Sequence, residues 1–187
     1  MRGFAAVALA AALCLPAAYA QANVIADRSF IRFALTQMGI SVEGRFRTFD
    51  ADVAFDPAKP GATKGAFSVD LASIDLGTPE SETEARRKPW LDVQGFPRAT
   101  FTAASVKALG GNRFEARGPL TIKGTTRDIV APFSVTDAGG VRTVDGQFTL
   151  KRLQFRVGEG EWSDTDTVAD DIAVHFRFAL PIQGAPS

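Results

Sequence analysis

The chain has 187 residues, 45% hydrophobic and 22% charged, a composition that excludes disordered, collagenous and disulfide-scaffold proteins. Lysine plus arginine and aspartate plus glutamate both count 21, so there is no basic excess to hold nucleic acid phosphates or an anionic membrane surface. Fifteen phenylalanines stand against one tyrosine and two tryptophans; rings almost without hydroxyls must surround something apolar, either a core or a guest.

Residues 1–20 read as a secretory signal peptide. Arg2 precedes an apolar run from Phe4 to Pro16, and Ala18-Tyr19-Ala20 offers small residues for cleavage before Gln21. The run is too short to span a bilayer. Cys14 lies inside it behind the bulky Leu13, which argues against a lipid anchor. Cleavage leaves residues 21–187 as one cysteine-free domain, suited to an oxidising compartment.

From Ser29 the period is two: Ile31, Phe33 and Leu35 alternate with Arg32, Ala34 and Thr36, as in a strand with one buried face. After a Met38-Gly39 turn, Val42, Gly44 and Phe46 fall on even positions, whereas Phe49, Ala51, Val53 and Phe55 fall on odd ones. An extra residue near Arg47-Thr48, a bulge bending one long strand, reconciles the two phases. Phe67, Val69 and Leu71 make a third strand. The segment from Pro79 to Trp90 breaks the period; acids come first and bases last behind Thr78-Pro79, predicting a short surface helix.

Strands then resume, with Phe101 to Val106 followed by Phe114, Ala116, Leu120 and Ile122. Ile129, Ala131, Phe133 and Val135 come next, then Val144, Gly146, Phe148 and Leu150. The last run sets Ile172, Val174, Phe176 and Phe178 against Asp171, Ala173, His175 and Arg177. The expectation is an all-β fold: an eight-stranded, antiparallel up-and-down barrel with the helix inserted between the third and fourth strands. Such a barrel is just wide enough for side chains or one small ligand. On its inner face fall Phe33, Leu35, Phe46, Phe67, Val69 and Phe101, then Leu120, Ile122, Phe133, Phe148, Val174 and Phe176, either lining a tunnel or filling a core. Trp90 and Trp162 each follow a polar stretch, as core plugs or as the mouth of a ligand cavity.

Tools for catalysis are scarce. A Ser-His-Asp arrangement would need His175, the one histidine, which alternation places outward beside Arg177. One histidine without cysteine builds no zinc or copper site. Glu159, Glu161, Asp164, Asp166, Asp170 and Asp171 match no calcium-loop spacing and read as a solvated loop. Lys123-Gly124-Thr125-Thr126 reads as a turn with its lysine on the polar face. No catalytic residue, metal site or cofactor is expected.

Ser29-Phe30-Ile31-Arg32-Phe33, Gly44-Arg45-Phe46, the stretch Lys88 to Phe101 containing Phe-Pro-Arg-Ala-Thr-Phe, and Leu120-Thr121-Ile122-Lys123-Gly124-Thr125-Thr126-Arg127 resemble, in order, the landmarks of the YceI-like family. The resemblance spans nearly all of residues 23–181, and Val157 to Trp162 looks like a proteobacterial branch. It implies a lipocalin-like barrel exported to the periplasm, with an apolar tunnel holding an isoprenoid lipid, a polyprenyl chain or quinone tail, for transport, storage or sequestration. The alternative is a filled barrel serving as an interaction module for a membrane b-type cytochrome. Under either, the mature chain has no transmembrane segment, no nucleic acid partner, and is a monomer or homodimer. Many relatives carry a histidine after the first strand, where this chain reads Gln37-Met38-Gly39.

Overall fold

The computed structural model describes residues 24–182. The expected signal peptide and its cleavage point lie outside the described residues. The strands are β1 (Phe30–Gln37), β2 (Ile40–Phe46), β3 (Phe49–Ala54), β4 (Lys64–Asp70), β5 (Ile74–Asp75), β6 (Arg98–Thr102), β7 (Ser105–Gly110), β8 (Arg113–Ile122), β9 (Thr125–Ala138), β10 (Val141–Lys151) and β11 (Val168–Pro181). The one α-helix among the described residues, α1, spans Pro79–Arg86.

All strands join one antiparallel sheet in the order β3-β4-β6-β8-β9-β10-β11-β1-β2-β5, with β7 also on β8. One end is β3 and the other is the short β5 beside β2; because β2 and β3 are consecutive halves of one bent segment, the sheet curls back on itself. The bend sits at Arg47 and Thr48, where the inward phase changes from even to odd positions. Both residues stay bonded there: the Arg47 amide donates to the Ser73 carbonyl at 3.1 Å, and the Asp70 amide donates to the Thr48 carbonyl at 3.1 Å.

Among the described residues eleven strands form where eight are expected. Two expected strands are each split: β2 from β3 at this bend, and β6 from β7 at Ala103 and Ala104, while both β6 and β7 pair with β8. The two-residue β5, pairing Ile74 with Phe46, is the addition. The helix also differs from expectation. It stops at Arg86 rather than reaching Trp90, and follows β5 instead of directly following the third strand. Its start is as read: the Thr78 hydroxyl accepts from the Ser81 amide and Pro79 opens the first turn. Arg86 then ties the helix down by donating to the Ala72 and Ile74 carbonyls.

Inward side chains gather into two buried clusters at opposite ends of the strands. One holds Val106, Phe114, Ala116, Phe133, Val135, Val144, Phe178 and Leu180. The other holds Leu71, Ile74, Leu91, Ala99, Leu120, Phe155 and Val157. Phe101 packs against both.

Candidate functional site

Between the clusters the sheet encloses a cavity of about 250 Å³. Ordinary interiors are close-packed, with voids rarely larger than a water molecule, so this space is not a packing defect. Of the residues expected on the inner face, all but Leu35 and Trp162 line it. Leu35, in β1 opposite Val42 and Ile172, is not part of the wall although Ile172 is. Trp162 packs against Trp90, with ring centroids 5.4 Å apart and the planes tilted by 50°, and is not part of the wall. Trp90, for which both a plug and a mouth were open readings, is a wall residue.

Close approach shapes the wall at Gly44. It faces Phe33 across β1 and β2, and a Cβ there would stand 2.4 Å from Phe33 Cζ, so only glycine lets that ring lie flat against the neighbouring strand. Val53 and Phe55 extend the wall past the bend, and Leu71, Ile74 and Leu91 cover the side where β2 and β3 part. Leu71 keeps the inward phase expected of it but opens a 3₁₀ turn (Leu71–Ser73) rather than continuing the strand, whereas periodicity does not assign Ile74 and Leu91, which a two-residue strand and a loop carry.

The end of the cavity near Trp90 is built differently from its walls. Arg152 is fully buried, lines the cavity, and spends every guanidinium hydrogen on backbone carbonyls. Nε donates to Ala169 at 3.1 Å, Nη1 to Val157 and Gly158 at 3.0 and 2.9 Å, and Nη2 to Trp162 and Val168, both at 2.7 Å. Burial presses its pKa below the ordinary value. The guanidinium also lies over the Trp90 ring, 5.6 Å from its centroid. Gly158 adopts φ +77°, and a Cβ there would lie 2.2 Å from Arg152 Nη1; the backbone can wrap the cation only without a side chain at this point.

Lys123 is the second buried cation, 3% exposed despite its expected outward place. Its ammonium donates to the Pro89 and Arg156 carbonyls and to the Glu159 carboxylate at 3.3, 2.7 and 2.9 Å. Lys123 and Arg156 hold the Glu159 carboxyl below its usual range. Together the two cations fasten residues 152–168 over Pro89 and Trp90. Sequence reasoning missed both, because arginine and lysine ordinarily read as solvated; the one available signal was Gly158, which reads equally well as a bend.

The remaining acids of the 159–171 segment serve the backbone or the surface. Asp164 accepts from the Asp166 amide, Asp170 from the Leu153 amide, and Asp171 pairs with Lys151. No cluster of metal-ligating side chains occurs among the described residues. His175 lies on the outer face as expected, with Nε2 3.2 Å from Asp145, which Arg177 also contacts at 2.6 Å. Burial alone would raise Asp145, but these two hydrogen bonds outweigh it and hold the carboxyl low.

The profile of the YceI-like domain matches residues 23–180. A UPF0312 protein of Azotobacter vinelandii is 34% identical over 131 residues, covering 67% of this chain and 68% of that one. The crystal structure of BcnA from Burkholderia cenocepacia superposes with a TM-score of 0.82 at 36% identity, covering 83% of this chain and 98% of that one. A polyisoprenoid binding domain from Saccharophagus degradans, implicated in plant cell wall breakdown, shares the fold at 14% identity, with a TM-score of 0.66 and coverage of 84% and 94%. The stretches that distinguish such sequences meet in space here: Phe101 pairs with Leu120 and Thr100 with Thr121, and the Phe96 ring lies against Gly124. The chain belongs to the YceI-like family.

Proposed function

We propose that the protein is an exported, non-catalytic carrier that holds an isoprenoid lipid inside a lipocalin-like barrel. The observation carrying this reading is the cavity: about 250 Å³, enclosed by phenylalanine, leucine, isoleucine and valine side chains. Such a wall rewards an apolar chain at about 25 cal/mol per Å² removed from water and offers little to a polar solute. A filled interaction module would pack this space with side chains. The Saccharophagus degradans relative, named for polyisoprenoid binding, shares the fold and supports the same ligand class. The leader over residues 1–20 supports export, with the periplasm as the site of action.

The test is native mass spectrometry of protein released from its own periplasm without detergent. A co-purifying polyprenyl or prenylquinone mass is expected. A bare polypeptide that also takes up no such lipid on addition would overturn the reading.

A further inference from the structure

The boundaries of the cavity are held with unequal strength. Around most of its girth the wall is a strand ladder; in the longest, β10 on β11, Val141 pairs with Pro181 at one end and Lys151 with Asp171 at the other. The two ends are shut by the phenylalanine cluster and by the segment that Arg152 gathers. Between β2 and the side formed by β4 and β6, no strand pairing closes the sheet except through β5, which is two residues long. Residues 74–88 span this gap and are anchored on both sides of it. Before them, the Ser73 carbonyl accepts from the Arg47 amide and the Ser73 hydroxyl from the Thr48 amide, at 3.1 and 3.0 Å. After them, the Pro89 carbonyl accepts from the Gly158 and Glu159 amides, both at 2.9 Å.

Between these anchors the segment is one unit. Arg86 of α1 donates to the Ala72 and Ile74 carbonyls and to Glu82, so helix and β5 are tied to each other. Little ties the unit to β2. Besides the two β5 pairs, Arg45 and Arg47 contact Asp75 at 2.8 and 3.1 Å, and Arg47 reaches Glu82 at 3.6 Å. Both arginines are more than half exposed, and exposed ion pairs hold weakly. The grip on the interior is slight as well: no residue of α1 is buried, only Ile74 and Ala85 of residues 74–88 line the cavity, and Leu76 lies against Gly44. Opening the wall here uncovers three modest side chains and two strand pairs, whereas opening it elsewhere breaks a long run of backbone hydrogen bonds.

Resting on the carrier reading, we infer that residues 74–88 are a side door: the unit swings out from β2 on its anchors at Ser73 and Pro89 to admit an apolar chain broadside, and Asp75 with Arg45 and Arg47 is the latch. A guest taken in this way threads neither closed end. The sheet stays paired throughout, so loading and release leave the barrel itself intact.

The test is to lock the door. Arg45 and Asp75 stand directly opposite each other in antiparallel register, a spacing that a disulfide spans. Arg45→Cys/Asp75→Cys is made together with Cys14→Ser, so that no other thiol remains in the chain. A control lock in the same background, Gln147→Cys/His175→Cys, joins β10 to β11 on the outer face. Uptake of geranylgeraniol by delipidated protein is timed by native mass spectrometry, with each lock oxidised and then reduced by dithiothreitol. The oxidised door lock is expected to load about tenfold more slowly than the same sample reduced, and the control lock to load at one rate in both states. Asp75→Asn, which weakens the latch without a cross-link, should load about threefold faster than wild type, the worth of one exposed ion pair. A door lock that loads equally fast in both states, a control lock that slows uptake as much, or an Asp75→Asn rate no higher than wild type overturns the door and leaves the carrier reading standing. Wild-type protein that takes up no geranylgeraniol overturns the carrier reading itself.

Discussion

The two ends of the cavity are built on opposite principles. At one, phenylalanines pack on one another: Phe114 and Phe133 stack at 5.5 Å, Phe55 meets both edge-on, and Phe67 stacks on Phe178 at 4.6 Å. At the other, two buried cations gather the backbone of residues 152–168 around a tryptophan pair. The first end owes its order to apolar area and ring geometry alone and needs nothing from outside the sheet. The second closes with a segment lacking regular strands, whose fixation depends on hydrogen bonds to charge. A closure of that kind can be loosened without dissolving the sheet.

The difference can be broken from either side. Phe114→Ala should cost most, about 4 kcal/mol, because it leaves a void in the ring cluster; urea unfolding should show the loss with the whole sheet melting as one transition. Arg152→Met should cost about 3 kcal/mol through stranded carbonyls, yet act locally. Its signature is hydrogen exchange that rises across residues 157–168 while β8 to β10 stay protected, with a shift in tryptophan fluorescence. Equal loss of protection in both regions would erase the distinction.

A smaller effect separates the ends by pH. Glu159 is held below its usual range by Lys123 and Arg156, so its contribution is fully present above the ordinary carboxylate range and is lost as pH falls through the depressed value. Acid should therefore loosen the 152–168 segment before the sheet unfolds, and Glu159→Gln should flatten that dependence in fluorescence titrations. Asp137 is lowered in the same way by Arg142, which also donates to the Phe55 carbonyl, and Asp137→Asn should leave the tryptophan signal unmoved.

The sheet was legible because period-two alternation is a local signal, and even the bend at Arg47-Thr48 betrayed itself as a change of phase. Most of the wall followed from the same rule. Leu35 did not, although its partner Ile172 lines the cavity, since alternation says which face a residue takes but not which side chain of a pair meets the open space. Ile74 and Leu91 were hidden because they reach the cavity from a two-residue strand and a loop. Arg152 and Lys123 were hidden for a stronger reason: a buried cation is intelligible only from the carbonyls that surround it, and those come from residues up to 34 positions away in sequence.

The central claim, that the space between the two ends holds a lipid chain, is tested most directly by filling it. Val174 lines the cavity midway along β11, paired with Phe33 and Phe148, outside the two end structures. In Val174→Trp the larger ring occupies open space rather than displacing packed neighbours, so stability should change by no more than about 1 kcal/mol. Native mass spectrometry of this variant should show a folded protein that no longer carries or takes up a polyprenyl lipid. A variant that binds the lipid with undiminished stoichiometry would contradict the account.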